Sequence, residues 1–259
     1  MPTPQKLSVV IPAYNEEAVI AATLRALTAK LDAEQIDYEL LVANDASRDG
    51  TLAVLESVAQ EIPRLRWVTN PGPLHGYGHA VRTGLAHYRG DAVAVVMADG
   101  ADSPADLVAY WRAIEQGADC AFGTRFGAQS DVRGYPPLKR IANRAGNWLI
   151  ARLTGHSYTD FTNGFKCFRR HVVEGAMQPL VCGDFNLTIE MSLKAILSGA
   201  SYKVVPNSWI EREAGVSKFH LWKLMRLYLV TLVYVLLDAK LKAGGRRRQG
   251  NSIPRTRKK

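Results

Sequence analysis

Ala92-Val93-Ala94-Val95-Val96-Met97-Ala98-Asp99-Gly100-Ala101-Asp102-Ser103-Pro104 is the stretch on which the fold turns. Its apolar run stops abruptly at two aspartates. Ser103 followed by Pro104 then opens a helix, with an N-cap and a proline at the first helical position. Strand, acidic turn and helix follow one another within a few residues, as in half of a βα unit. The same alternation extends in both directions. Leu7–Ile11, Tyr38–Ala43, Leu65–Thr69 and Ala118–Gly123 are further short apolar runs, and Glu16–Lys30, Thr51–Gln60, Gly78–His87 and Pro104–Gln116 have helical patterns. Alternating strands and helices predict an α/β fold with a mostly parallel central sheet flanked by helices.

Past residue 130 the rhythm loosens. Leu138–Leu153 and Asn186–Leu197 are expected as helices, and Thr162–Phe168 and Tyr202–Glu211 as strands. No repeat or Pro/Gly/Ser linker interrupts the chain before Gly244-Gly245. The expected organisation is a catalytic domain over 1–215, an amphipathic, interfacial helical segment over 216–243, and a basic disordered tail over 244–259. The net charge of +9 supports that division, because Lys240 to Lys259 hold nine Lys or Arg and no acid, leaving 24 basic against 24 acidic residues in 1–239. A neutral body argues against nucleic acid as a partner. Cys120, Cys167 and Cys182 lack metal-ligand spacing and read as reduced core thiols, and Met1–Lys6 does not resemble a signal peptide. Both point to a cytoplasmic protein.

In an open α/β sheet, ligands gather beyond the carboxyl ends of the strands. Here the first strand runs into Pro12-Ala13-Tyr14-Asn15-Glu16-Glu17 and the second into Asn44-Asp45-Ala46-Ser47-Arg48-Asp49-Gly50. The third runs into Asn70-Pro71-Gly72, and the fourth into Asp99-Gly100-Ala101-Asp102. Clustered carboxylates repel one another. A divalent cation, Mg²⁺ or Mn²⁺, shared with a diphosphate would explain them, since such ions take one or two carboxylates plus phosphate oxygens. The structural alternative is that each aspartate caps a helix or stabilises a turn. Asp99 and Asp102 are the expected metal pair.

These strand ends also carry a resemblance. Val9 to Glu17 resembles the opening of family-two glycosyltransferases of the GT-A fold, and Asn44-Asp45-Ala46-Ser47-Arg48-Asp49-Gly50-Thr51 resembles their second motif. Gly76-Tyr77-Gly78-His79-Ala80, Gly123-Thr124-Arg125-Phe126, Asp160 to Lys166, Phe185 to Glu190 and Arg212 to Lys218 resemble motifs of the dolichol-phosphate mannose synthase branch. Two positions depart. Asn44 stands for the first aspartate of the usual D-D-x-S, and the usual D-A-D-x-Q-H-P is replaced by a D-x-x-D spacing.

The resemblance implies an inverting transfer of a hexosyl group, mannose from GDP-mannose, to a polyprenyl or dolichyl phosphate. A UDP-sugar donor or another acceptor is the alternative within the enzyme class, and a non-catalytic nucleotide-sugar-binding subunit is the alternative outside it. By the resemblance, Pro12, Tyr14, Glu16, Asn44 and Asp45 bind the donor nucleoside, Arg212 and Lys218 its diphosphate, and Arg125, Lys139 and Asn143 the acceptor phosphate. Asp99, Asp102 and Arg125 form the catalytic set. A phosphate monoester has a second pKa of about 6 and is an anion at neutral pH. Unlike a hydroxyl, it needs cations rather than a general base. Glu190 is left outside this set.

Leu221–Leu241 is rich in Leu, Val and Tyr, yet its uncharged stretch spans only Leu227 to Leu237, short of the roughly 20 residues that cross a bilayer. An interfacial helix with a basic tail is expected to attach the protein peripherally to the cytosolic face of a membrane. Packing on its own domain, a membrane-protein partner or a second copy of the chain are the other readings of the same helix.

Overall fold

The computed structural model describes residues 3–210 and 221–250, with the backbone alone for Leu138, Lys139, Ile210, 221–225 and 243–250. The first half alternates regularly through β1 (Lys6–Ala13), α1 (Ile20–Ala33), β2 (Asp37–Asn44), α2 (Thr51–Glu61), β3 (Leu65–Thr69), α3 (Tyr77–Leu85), β4 (Ala92–Val95), α4 (Pro104–Glu115) and β5 (Cys120–Thr124). The second half adds β6 (Val132–Arg133), α5 (Pro137–Thr154), β7 (Lys166–Arg169), a π-helical turn at Val172–Ala176, α6 (Leu187–Leu197), β8 (Tyr202–Pro206), β9 (Trp209–Ile210) and α7 (Leu221–Gly250).

Seven strands form one sheet in the order β3-β2-β1-β4-β7-β5-β8, parallel except for β7, and β6 with β9 form a small ribbon. The order reverses direction at β1, which pairs with β2 on one side and β4 on the other. That switch point opens a crevice at the carboxyl edge.

Strand side chains alternate between two cores. Leu7, Val9 and Ile11 face α1, α2 and α4, together with Leu24, Leu55, Leu107 and Trp111. Val10, Leu41, Val93 and Val95 face the other way, toward Val81 of α3, Ile150 of α5, Ile189 of α6, and Leu232 and Val235 of α7. The sheet is thus covered on both sides, as a parallel sheet must be.

Several boundaries differ from the sequence pattern, for local reasons. β4 stops at Val95 although the apolar run continues. Met97 N–H instead donates to Asp102 Oδ2, and the Ala98 carbonyl accepts from Thr23 Oγ1. Helix α1 starts at Ile20 rather than Glu16, because Asn15 is left-handed (φ 57°). The expected strand Thr162–Phe168 is strand only from Lys166, since Asp160–Asn163 turns. Tyr202–Glu211 divides into β8 and β9 where the Asn207 N–H bonds the Thr124 carbonyl. Helix α7 continues as backbone helix to Gly250, into the stretch expected as a disordered tail, where Arg246, Arg247, Arg248 and Gln249 favour helix while Gly244 and Gly245 do not. No helix among the described residues is long and apolar enough to cross a membrane.

Candidate active site

Two strained residues shape the crevice. Asn15 and Ala46 both have φ 57°, a conformation that costs a residue with a β-carbon about 1 kcal/mol. A mesh of hydrogen bonds holds them. Asn15 Oδ1 accepts from Arg48 N–H (2.8 Å), Asn15 N–H donates to Ser47 Oγ (3.0 Å), and Asn44 Oδ1 accepts from Ser47 N–H (3.1 Å). The β1 and β2 loops are therefore clamped together. Beside them lies a cleft of about 520 Å³ lined by Pro12, Tyr14, Glu16, Asp45, His75, Tyr77, Met97 and Phe185.

Four of the expected nucleoside ligands, Pro12, Tyr14, Glu16 and Asp45, line this cleft. Tyr14 is half-exposed, in keeping with a ligand contact rather than core packing. The carboxylate of Asp45 is already engaged. Its Oδ2 accepts from Gly76 N–H (2.6 Å), while Oδ1 accepts from Asn70 Nδ2 (2.7 Å) and lies 3.2 Å from His75 Nδ1. Asp45 thus fixes the loop that forms one wall. Asn44 is buried under it, with its Nδ2 unpartnered among the described residues.

Asp99 and Asp102 follow β4. Asp99 Oδ1 accepts from Ala101 N–H (3.0 Å) across a tight turn, with Gly100 left-handed (φ 71°). Asp102 is 5% exposed and bridges to Trp209 of the β6–β9 ribbon. Burial raises its carboxyl to about 7; the nearby charges of Asp99 and Asp106 add to the rise, while Met97 N–H and Arg125 oppose it. No cluster of three or more Asp, Glu, His or Cys among the described residues is placed to hold a metal ion. The pair nevertheless fits Mg²⁺ or Mn²⁺, which accepts two carboxylates when phosphate and water complete its shell. A buried carboxyl reluctant to ionise alone is the group that a cation would hold ionised.

Arg125 stands on the other side of this edge, after β5. Its Nε and Nη2 make a fork with Asp160 (2.9 and 2.7 Å), whose Oδ2 also accepts the Arg125 N–H (2.9 Å). Asp160 is fully buried and Arg125 nearly so. Burial works against the guanidinium charge, but Asp160 more than compensates and raises its pKa. Nη2 also donates to Thr162 Oγ1 (3.1 Å), whose hydroxyl donates to Asn143 Oδ1 (2.7 Å); Asn143 Nδ2 donates to Tyr135 Oη (2.7 Å). Arg125 and Asn143, both expected at the acceptor phosphate, thus belong to one network. Lys139 lies in the first turn of α5, but its side chain falls outside the described residues, as do Arg212 and Lys218 entirely. Beneath the network Lys166 Nζ donates to the carbonyls of Phe161 and Asn163, and burial lowers its pKa to about 7.

The glycines of Gly76-Tyr77-Gly78 serve packing. A β-carbon at Gly78 would lie 2.6 Å from the Cys182 carbonyl oxygen and 2.5 Å from the Gly183 carbonyl carbon, so α3 can start only against that loop. Glu190 holds the loop from behind. Its carboxylate accepts from the N–H groups of Val181 and Cys182 and pairs with Lys194 (2.7 Å). Glu190 is therefore a buried, paired carboxylate rather than a base.

Sequence reasoning missed the aromatic wall. Tyr77 stacks on Phe185 (ring centroids 4.4 Å apart), and Tyr228 of α7 comes close enough to Tyr77 and Arg125 for their charges to interact. Tyr77 and Phe185 occur inside motifs already noted, which was their available signal. Tyr228 had none. Asp160 and Thr162 were likewise visible as motif residues without a role.

The family model for glycosyl transferase family 2 matches residues 8–175. The chain belongs to that family. It is a glycosyltransferase of the GT-A fold. A polyprenol monophosphomannose synthase of Mycolicibacterium smegmatis is 31% identical over 218 residues, 83% of this chain and 81% of that protein. An undecaprenyl-phosphate 4-deoxy-4-formamido-L-arabinose transferase of Erwinia tasmaniensis is 29% identical over 223 residues, 86% of this chain but 66% of that protein. Among solved structures, glucosyl-3-phosphoglycerate synthase of Mycobacterium tuberculosis, in complex with Mn²⁺, UDP and phosphoglyceric acid, has a TM-score of 0.70 at 18% identity. That match covers 89% of this chain and 78% of the other.

Proposed function

We propose that this glycosyltransferase moves a mannosyl group from GDP-mannose to a polyprenyl phosphate, inverting the anomeric centre in one displacement. The observation that carries the reading is the placing of an acidic pair, Asp99 and Asp102, opposite the buried Arg125–Asn143 network at one sheet edge. The named activity of the mycobacterial relative supports it.

Asp99 and Asp102 would hold Mg²⁺ or Mn²⁺, which when bound neutralises charge on the leaving nucleoside diphosphate, worth several kcal/mol. Tyr14, Pro12 and Glu16 bind the nucleoside in the cleft. Arg125, fixed by Asp160 and Thr162, holds the acceptor phosphate in line, with Asn143 and Lys139 beside it. Arg212 and Lys218 complete the diphosphate site. The acceptor oxygen is already anionic near neutrality, so no residue has to remove a proton. Asp160 and Glu190, the buried carboxylates of the second half, are bound to Arg125 and Lys194 and free for neither role.

A UDP-sugar donor is the second reading, favoured by Asp45. Guanine offers two N–H donors on one edge and uracil one; Asp45 Oδ1 already faces Asn70 and His75, so only Oδ2, which holds Gly76 N–H, keeps a lone pair open, enough for uracil. Because the acceptor is a lipid, the enzyme works at the cytosolic face of a membrane. The outward residues of α7, Leu229, Val230, Val233, Leu237 and Leu241, and the basic tail hold it there.

A donor panel against purified polyprenyl phosphate tests this. Label passing from GDP-mannose alone into a mild-acid-labile lipid supports the first reading. Label from UDP-sugars alone selects the second. No lipid product from any donor, with nucleotide still bound, refutes the acceptor.

A further inference from the structure

Thr231 is a buried polar residue of α7, next to the core residue Leu232. A helical threonine commonly bonds the carbonyl four residues back and does nothing more. Thr231 makes that bond, its hydroxyl donating to the Leu227 carbonyl (2.9 Å), but the same oxygen also accepts from Asn186 Nδ2 (2.9 Å) and lies 3.6 Å from Cys182 Sγ. Its one proton is taken by Leu227, so the amide and the thiol both donate to it. Burial pushes the Cys182 thiol up to about 12, which keeps that proton in place. One hydroxyl therefore ties α7 to both ends of the 182–186 loop.

That loop is a wall of the cleft. Phe185 stacks on Tyr77 with the rings 8° from parallel, and both residues line the cleft. The Gly183 carbonyl accepts from His79 N–H (3.3 Å), and Gly78 has no room for a β-carbon against Cys182 and Gly183. The loop cannot shift without carrying the Tyr77–Phe185 stack and the start of α3 with it. Nearly one turn on from Thr231, Tyr234 Oη accepts from Lys194 Nζ (3.2 Å). Lys194 pairs with Glu190, whose carboxylate accepts from Cys182 N–H (2.8 Å). One face of α7 thus braces the loop at two points.

We infer that Thr231 is a positioning residue for the donor nucleotide: it touches no substrate, and it sets the Tyr77–Phe185 wall through Asn186 and Cys182. The inference rests on the reading of this cleft as the donor nucleoside's. Without the hydroxyl, Asn186 Nδ2 and the Cys182 thiol are buried donors with no acceptor, a state costly enough to displace the loop that carries them. Helix α7 lies beyond residues 8–175, which the family model matches, so a helix that closes the core also shapes the nucleotide site. The acceptor side hangs on other residues. Arg125 is fixed by Asp160 and Thr162, neither of which Thr231 bonds.

Isothermal titration of the full-length protein with GDP and with UDP, each in Mg²⁺, tests this. The expected result is that Thr231→Val, which keeps the shape and removes the hydroxyl, weakens the nucleotide that wild type binds by about tenfold. Thr231→Ser, which restores the hydroxyl, should stay within about twofold of wild type. Leu232→Ala, the adjacent core residue, should lower Tm at least as much as Thr231→Val and leave nucleotide affinity unchanged. In turnover, Thr231→Val should raise the donor KM by the same factor and leave the acceptor KM alone. If Thr231→Val does not fold, Asn186→Ala removes the other partner and carries the same expectation. Unchanged nucleotide affinity in the folded variant would overturn the proposal, as would an equal loss in Leu232→Ala, since a loosened helix would then be the cause. Wild type that binds neither GDP nor UDP would overturn the donor-cleft reading itself, and this inference with it.

Discussion

In residues 3–116 the buried charged side chains are acidic, Glu39, Asp45 and Asp102, whereas residues 117–250 bury Lys166, Arg169 and Lys194 beside Asp160 and Glu190. The surfaces contrast as well. In the first half the large exposed apolar residues are Tyr14 and Leu74, both in loops, while in the second half α5 and α7 expose whole stripes. A half with acid at its strand ends and a polar exterior suits a base, a sugar and a metal-bound diphosphate. A half with buried cations and an apolar exterior suits a phosphate attached to a lipid. The two chemistries meet where Asp102 and Arg125 come close enough to interact.

The largest effect should come from breaking a buried pair of the second half. Arg125→Ala leaves Asp160 buried and uncompensated and should cost about 3–5 kcal/mol in urea unfolding. Arg25→Ala, which breaks the exposed Arg25–Glu61 pair of the first half, should leave the urea midpoint unchanged. Equal losses would erase the contrast.

Next come the two exteriors. Leu24→Ala in α1 empties a fully buried position and should cost about 2–5 kcal/mol. Leu237→Ala on α7, 56% exposed, should stay within about 0.5 kcal/mol and instead weaken vesicle binding. A large stability loss at Leu237 would mean that the stripe is covered.

Asp102 gives a pH signature. Its carboxyl is raised to about 7, so between about pH 4 and 7 the native state holds a proton that the unfolded chain has released. Stability of metal-free protein should fall as pH rises through that window and be lowest above it. Asp102→Asn removes the slope, so in chelator at pH 8 its Tm should exceed wild type by on the order of 10 °C, with no gain at pH 4. Its transferase activity should nonetheless collapse. The smallest effect is Gly146→Ala in α5. A β-carbon there meets nothing within 4 Å, so the helix should gain about 0.5–1 kcal/mol in circular-dichroism melts.

The first half was largely legible because its contacts are local in pattern: apolar run, polar turn, helix. β3 and the start of α4 stand where the residues placed them. The short apolar run of β4 misled because Val96 and Ala98 are buried without being strand. The second half hid more. Nothing local says that β7 inserts antiparallel between β4 and β5, or that Asp160 belongs to Arg125, 35 residues away. The apolar stripe of α5 reads the same whether it faces a core or a membrane. The resemblance names Asp45 as a nucleoside ligand and it does line the cleft, but nothing local says that it also braces the 70–76 loop.

The most direct test of the account is a comparison of acceptors that differ by one group. With one donor and saturating Mg²⁺ or Mn²⁺, transfer is measured onto a polyprenyl phosphate and onto the matching polyprenol. The account predicts product from the phosphate alone, lost in Asp99→Asn. Comparable transfer to the free alcohol would contradict it, because a hydroxyl requires a base and the buried carboxylates Asp160 and Glu190 are held by Arg125 and Lys194.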